Sequence, residues 1–300
     1  MTVAWGRSGW YDRARPGGVS GALLAHPTDD VHVLAMCEKE LISMKQVVEE
    51  MSWVEIGEAI ARNVPVILPL GAIEQHGPHL PVDSDAYFAG EISARAAKGF
   101  DMLVAPTVRF GYRSRPLSGG GQHFPGTLSL SGKTYISVVQ EVLSELIRHG
   151  FRRILVYVWH MENQNFAYEA AYLAVGDRTD VKIVVMEFPF DSLTDKTMAV
   201  LFPDGFPGWA EEHASILETS LMLHLRPEAV DMSRAVDDCS EAHPTYDIIP
   251  PPASITTKSG VLHKATQGTA EKGVAALAEV VAHLQDVLRT EFPDIASTKA

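Results

Sequence analysis

The chain has 300 residues, 46% of them hydrophobic, with 38 acidic against 25 basic side chains, a formal net charge of −13 and an isoelectric point near 5.3. This is enough apolar material for a full α/β core, while the acidic balance argues against nucleic acid or an anionic membrane as partner, since both need a basic face. Two cysteines, Cys37 and Cys239, without a C-x-x-C pattern, exclude a disulfide framework and point to a reducing, cytoplasmic setting; no signal peptide or membrane span is readable.

Residues 1–45 mix Gly, Pro, Arg and Trp with weak periodicity and read as an irregular N-terminal extension. Residues 44–62 read as an amphipathic segment ending in a helix, with Trp53, Ile56, Ile60 and Ala61 on one side and Trp53 as a packing residue. Residues 64–70, V-P-V-I-L-P-L, are short, apolar and closed by Gly71, the pattern of a parallel strand buried on both faces. Glu74 and His76 emerge beyond its carboxyl end, where open α/β sheets bind ligands. If the backbone stays extended there, both side chains point to one side. Asp85 then opens a helix over 86–97, and taken alone it reads more simply as an N-cap than as a ligand.

Residues 102–108 form the expected second strand, which feeds a loop over 110–127 with five glycines and two prolines. Long loops in compact domains are usually functional, and its aromatics and His123 point to binding rather than a flexible linker. A helix follows over 133–149, stopped by Gly150, with His149 as a capping residue. Residues 153–158 are the third strand. At its end His160 and Glu162 repeat the ligand-x-ligand spacing of Glu74 and His76, and the two strand ends meet if their strands are neighbours. A helix over 164–175 and a fourth strand over 181–186 come next. Residues 188–207 read as loop, leading to Glu212 and His213 at the start of an apolar helix that runs through Leu225. Residues 229–265 read as irregular, 269–291 as a final amphipathic helix, and the last residues, 294–300, as a fraying tail.

Glu74, His76, Asp85, His160 and Glu162 supply two imidazoles and three carboxylates without a thiolate, which suits Zn²⁺, Mn²⁺ or a mixed pair. Five ligands exceed what one catalytic zinc takes from protein, so a carboxylate shared by two ions accounts for the surplus, with Asp85 as the bridge. Such a pair holds a hydroxide and polarises a carbonyl, the chemistry of metal-assisted hydrolysis. The leaving nitrogen then needs an acid, and His213, oriented by Glu212 or by its helix start, is the candidate.

The chain resembles the creatininase family of amidohydrolases. The resemblance is carried by P-L-G-A-I-E-Q-H-G-P-H-L-P-V-D-S-D (69–85), S-G-G-G-Q-H-F-P-G-T (118–127), W-H-M-E-N (159–163), F-P-D-G-F-P-G-W-A-E-E-H (202–213), E-T-S-L-M-L (218–223) and P-T-Y-D (244–247), and spans residues 48 to 293. It implies a three-layer α/β/α fold around a mainly parallel sheet, a catalytic domain over 46–293, a dinuclear Zn or Mn/Zn centre and a hexamer. Carried over residue by residue, it groups Glu74, Asp85 and His160 around one ion and His76, Asp85 and Glu162 around the other. It implies that Ser118, Trp209, Glu212 and His213 contact substrate or assist catalysis, His213 as proton donor and acceptor. Met161 stands where family members carry a tyrosine, Phe190 where a tryptophan is expected, and Ala210 where an acidic residue is expected; these differences bear on substrate. The implied reaction is hydrolysis of a small cyclic amide, creatinine or a creatinine-like ring. A linear formamide or short peptide is the alternative substrate, and a non-catalytic metal-binding oligomer is the third reading.

Overall fold

The structure, a computed structural model, describes residues 45–119, 121–186, 192–241 and 244–295. In chain order its main elements are α1 (Trp53–Ala61), β1 (Val66–Leu70), α2 (Ser84–Ala97), β2 (Leu103–Val104), α3 (Gly132–His149), β3 (Arg153–Val158), α4 (Gln164–Val175), β4 (Lys182–Met186), α5 (Asp195–Leu201), α6 (Ile216–Leu225) and α7 (Ala270–Glu291). The four strands form an all-parallel sheet in the order β2-β1-β3-β4.

Side chains alternate across each strand, so the sheet feeds two cores. Ile67, Leu155 and Tyr157 pack with Phe88 and Ile92 of α2, Leu217 and Leu221 of α6, and Val280 and Leu284 of α7. Val66, Leu68, Leu70, Ile154, Val156 and Val158 pack on the other face with Ala59 of α1, Tyr135, Val139 and Leu143 of α3, and Ala167 and Ala170 of α4. This is the expected three-layer α/β/α arrangement. Burial of both sheet faces is why β1 and β3 are unbroken apolar runs rather than alternating ones.

Local signals set the helix ends. Ser131 and Thr269 accept the backbone N–H of Thr134 and Lys272, capping α3 and α7, and Gly150 ends α3 at φ +116°. No helix among the described residues is long and apolar enough to cross a membrane.

Several expectations are corrected. Trp53 is 83% exposed, and of α1 only Ala59 is buried, so Trp53 is no packing residue. The second strand shrinks to two residues because Pro106 has no N–H for the ladder; Val108 rejoins the sheet only as an isolated bridge to Leu70. Helix α2 starts at Ser84 with Asp83 at the cap position, which places Asp85 inside the first turn and removes it from the capping role. The segment read as loop contains α5. Its cap residue Thr194 is pinned from afar, since Glu279 of α7 accepts from Thr194 N at 2.7 Å and Thr197 Oγ1 at 2.7 Å. Helix α6 begins at Ile216, so Glu212 and His213 lie in the irregular backbone before it.

Candidate metal centre

The register Leu70↔Val158 brings the carboxyl ends of β1 and β3 level. The turns that follow are then tied together. Trp159 N donates to Leu70 O at 3.0 Å, and fully buried Asn163 donates through Nδ2 to Gly71 O at 2.9 Å while its Oδ1 accepts from Tyr112 N at 2.8 Å. Asp85 approaches from the first turn of α2, where the helix dipole favours an anion.

Asp85 stands between two histidines. Its Oδ1 lies 3.3 Å from His76 Nε2 and its Oδ2 lies 3.2 Å from His160 Nδ1. Glu74 Oε2 is also 3.2 Å from His160 Nδ1, and Glu218 Oε1 is 3.5 Å from His76 Nε2. Two buried groups with metal-binding spacing result, Glu74–Asp85–His160 and His76–His213–Glu218. Glu162 falls on the His160 side, its Oε2 3.6 Å from His160 Nε2, while its Oε1 accepts from the Ser118 hydroxyl. Beside His76 the structure thus places Glu218, where the resemblance had grouped Glu162.

The donor set fits divalent ions. Each histidine has one nitrogen beside a backbone carbonyl, His76 Nδ1 at 3.0 Å from Glu74 O and His160 Nε2 at 2.9 Å from Tyr112 O. That leaves His76 Nε2 and His160 Nδ1 as lone pairs facing the carboxylates, the usual preparation of a ligating imidazole. Glu74 Oε2, His76 Nε2 and Asp85 Oδ2 are buried and have no hydrogen-bond partner. Buried polar atoms rarely go unpaired, and these fall in both groups, Glu74 Oε2 and Asp85 Oδ2 in one and His76 Nε2 in the other, as two cation places would require.

The charges respond to this crowding. Burial pushes Glu74 up to about 7 against the pull of His160. Burial works against charge on His160, yet Glu74, Asp85 and Glu162 lift it to about 10; His76 is raised well above its ordinary value by Asp85 and Glu218. Asp85 is held far below the usual carboxylate range by His76 and His160, although burial opposes this. Burial and the charge of His76 bring His213 down to about 4. Raised imidazoles around a depressed Asp85 mark a place that favours positive charge, as a divalent cation would supply.

Ser118, Met161, Trp209, Glu212 and His213 line the same cleft, whose volume is about 30 Å³. Trp209 packs edge-on against Phe206 at 4.7 Å. Glu212 does not orient His213: its Oε1 accepts from Leu217 N at 2.7 Å, while Glu218 Oε2 accepts from Ala214 N at 2.7 Å, so the two carboxylates satisfy the start of α6. His213 is held instead by Gln75, its Nε2 lying 2.8 Å from Gln75 O. His123 is exposed, packs on Phe124 and does not line the cleft; Phe190 lies outside the described residues. Sequence reasoning missed Glu218, Gln75, Asn163 and Ser114, whose hydroxyl donates to Glu74 Oε1. Only Glu218 had a local signal, as the one charged residue in the apolar stretch 214–223.

A parallel sheet covered on both faces, with carboxylates and imidazoles converging beyond two adjacent strands, defines a metal-dependent hydrolase. The chain belongs to the creatininase family, whose profile, described as creatinine amidohydrolase, matches residues 49–288. It is a hydrolase of that family. The chain is 39% identical over 253 residues to the creatinine amidohydrolase of Pseudomonas putida, covering 82% of this chain and 97% of that protein. It is 28% identical to the mycofactocin precursor peptide peptidase of Mycolicibacterium smegmatis, covering 77% of this chain and 87% of that one. Among solved structures, a manganese creatininase superposes with a TM-score of 0.79 at 38% identity, covering 83% of this chain and all of that one. A creatininase mutant of the Zn–Zn type matches with the same score at 36% identity over 84% of this chain and all of its own.

Proposed function

We propose that the domain spanning 46–293 hydrolyses the ring C–N bond of a small cyclic amide, creatinine or a creatinine-like ring, with two divalent ions, Zn²⁺ and/or Mn²⁺. The observation that carries this reading is Asp85, which offers one carboxylate oxygen to each of two histidine–carboxylate groups. Glu74 and His160 would hold one ion with Asp85, and His76 and Glu218 the other, while Glu162 stands by the far nitrogen of His160. When bound, the ions polarise a carbonyl and make a water acidic enough to lose its proton near neutral pH.

The remaining work falls to the chain. Trp209, backed by Phe206, gives a flat ring one wall, and Met161 lies beside it. Ser118, whose hydroxyl donates to Glu162, lines the cleft and leaves its oxygen to accept from a substrate N–H. His213 is neutral near pH 7, so it takes the proton that the attacking water sheds and returns it to the nitrogen as the C–N bond breaks. Glu212 keeps His213 in place indirectly, by fixing the start of α6. The same reading makes the enzyme cytoplasmic and hexameric, with residues 1–45 and 294–300 outside the catalytic domain.

The test is turnover of creatinine by protein loaded with Zn²⁺ or Mn²⁺, against N-formyl and peptide amides. Opening of a cyclic amide, abolished in His213→Gln, is the expected result. A second reading, cleavage of a linear formamide or short peptide, is favoured by the similarity to a relative named a peptide peptidase. Turnover of only linear amides would establish that second reading, and no turnover of either class would refute both.

A further inference from the structure

The residue between the two ligands of the first turn, Gln75, contacts three other segments of the chain. Its side chain is buried, 5% exposed. Its Oε1 accepts from Gly77 N at 2.9 Å, and its Nε2 reaches Gly260 O at 2.9 Å and Gly119 O at 3.4 Å. Gly121 and Gly260 press on it from both sides: a methyl group on Gly121 would come within 2.6 Å of Gln75 Cγ, and one on Gly260 would overlap the amide. Gly260 also adopts φ +82°, so the site was built around this amide from a backbone conformation that other residues rarely take.

The network fixes which way the amide points. With Oε1 and Nε2 exchanged, an oxygen would face two carbonyls and an NH₂ would face the Gly77 N–H. One amide hydrogen goes to Gly260 O at 2.9 Å, and the other has Gly119 O at 3.4 Å within reach. His213 Nε2 lies 2.9 Å from Gln75 Nε2 and 2.8 Å from Gln75 O. A lone pair on His213 Nε2 would face the Gln75 carbonyl oxygen at 2.8 Å, a repulsive contact between two acceptors. A proton on His213 Nε2, donated to Gln75 O, turns that contact into a hydrogen bond and leaves the amide hydrogens to Gly260 and Gly119.

We infer that Gln75 is a positioning residue, which through its carbonyl and amide holds His213 as the Nε2–H tautomer and presents Nδ1 to the cleft. The orientation agrees with the surroundings, since a methyl group on Gly119 would lie 3.3 Å from both Cε1 and Nδ1 of His213 and 2.9 Å from Glu74 Oε1. The nitrogen that exchanges protons is then Nδ1, on the edge that faces Gly119, beside Glu74. The amide also joins the loops carrying Ser118 and Gly260 to the ligand turn, so displacing it lets the imidazole rotate. This inference rests on His213 acting as proposed above, but its main test reads the tautomer and not turnover.

The experiment is ¹⁵N NMR of imidazole-labelled, Zn²⁺-loaded full-length protein, with the His213 signals assigned by their loss in His213→Gln. A protonated Nε2 is expected in the wild type, and a protonated Nδ1 overturns the inference whatever the substrate proves to be. Gln75→Met keeps the volume and removes the amide; the expected result is exchange between tautomers, a 10- to 100-fold lower kcat, KM within about threefold and unchanged metal content. A single unchanged tautomer and wild-type kcat in that variant would show that the side chain does not position His213. If Gln75→Met is insoluble, Gly121→Ala displaces the same side chain from outside and is held to the same outcomes.

Discussion

Leu70, the last residue of β1, pairs in parallel register with Val158, the last residue of β3. Because the strands end level, Glu74 and His76 leave the sheet beside His160, and one aspartate from the next helix can reach both histidines. The metal stoichiometry follows from that alignment. Two divalent equivalents per chain are expected by elemental analysis. Glu218→Gln should remove the ion beside His76 and spare the other, whereas Asp85→Asn should lower both. Two full equivalents in Asp85→Asn would sink the shared-carboxylate arrangement.

Stripped of metal, the protein should lose stability as pH rises. His160 has its pKa raised to about 10 and His76 is raised as well, so their stabilising protonation is complete below about 6.5 and is lost on rising through the folded values. Glu74, raised to about 7 by burial, adds a loss of the same sign between about 4.5 and 7. The depressed pKa of Asp85 acts oppositely, but only at the acid end, below about 4. His213 and His79, both brought down to about 4, act oppositely up to about 6.5, so chelator-treated protein should melt at progressively lower temperature from pH 7 to pH 10. Metal-loaded protein should not follow this trend, because ions replace the protons. Parallel melting curves for the two forms would contradict a cation site here.

The loop that carries Ser118 is strapped to the segment after Pro244. Asp247 accepts from Arg115 Nε at 2.7 Å and from Leu117 N at 3.3 Å. Arg115 is largely exposed, so the pair adds little to global stability, less than about 1 kcal/mol. Asp247→Ala should raise KM about three- to tenfold with kcat within about twofold, while the unfolding midpoint hardly moves. Unchanged KM would remove the strap from substrate binding.

Leu155 lies in the middle of β3 and is fully buried against the α2–α6–α7 layer. Leu155→Ala leaves a cavity that the neighbours fill only partly, at a cost of about 2–5 kcal/mol. Urea unfolding measures this. Retention of both metal equivalents in the folded fraction is expected, since the strand ends are set by register.

Strand β3 and helix α4 were legible to the residue, and β1 and α3 nearly so. Each is written in a local period, an unbroken apolar run or a 3.6-residue repeat with Ser131 and Gly150 at its ends. Helix α5 was not legible, because what fixes its start is Glu279, more than eighty residues downstream. The exposure of Trp53 escaped for a related reason: an apolar residue at helical spacing says which face it shares and not whether another layer covers that face.

The sequence by itself determined the kind of site. Carboxylates and imidazoles placed just past two buried strands leave few options, because strand ends are where an α/β sheet opens. Only the tertiary structure decided the partners within it: that Glu218 and not Glu162 stands by His76, that Glu212 caps α6, and that Gln75 holds His213. Those pairings join residues 138 to 142 positions apart or depend on where a helix begins. They are set by how α6 packs across the sheet onto the ligand turn, a long-range contact that no local pattern of residues encodes.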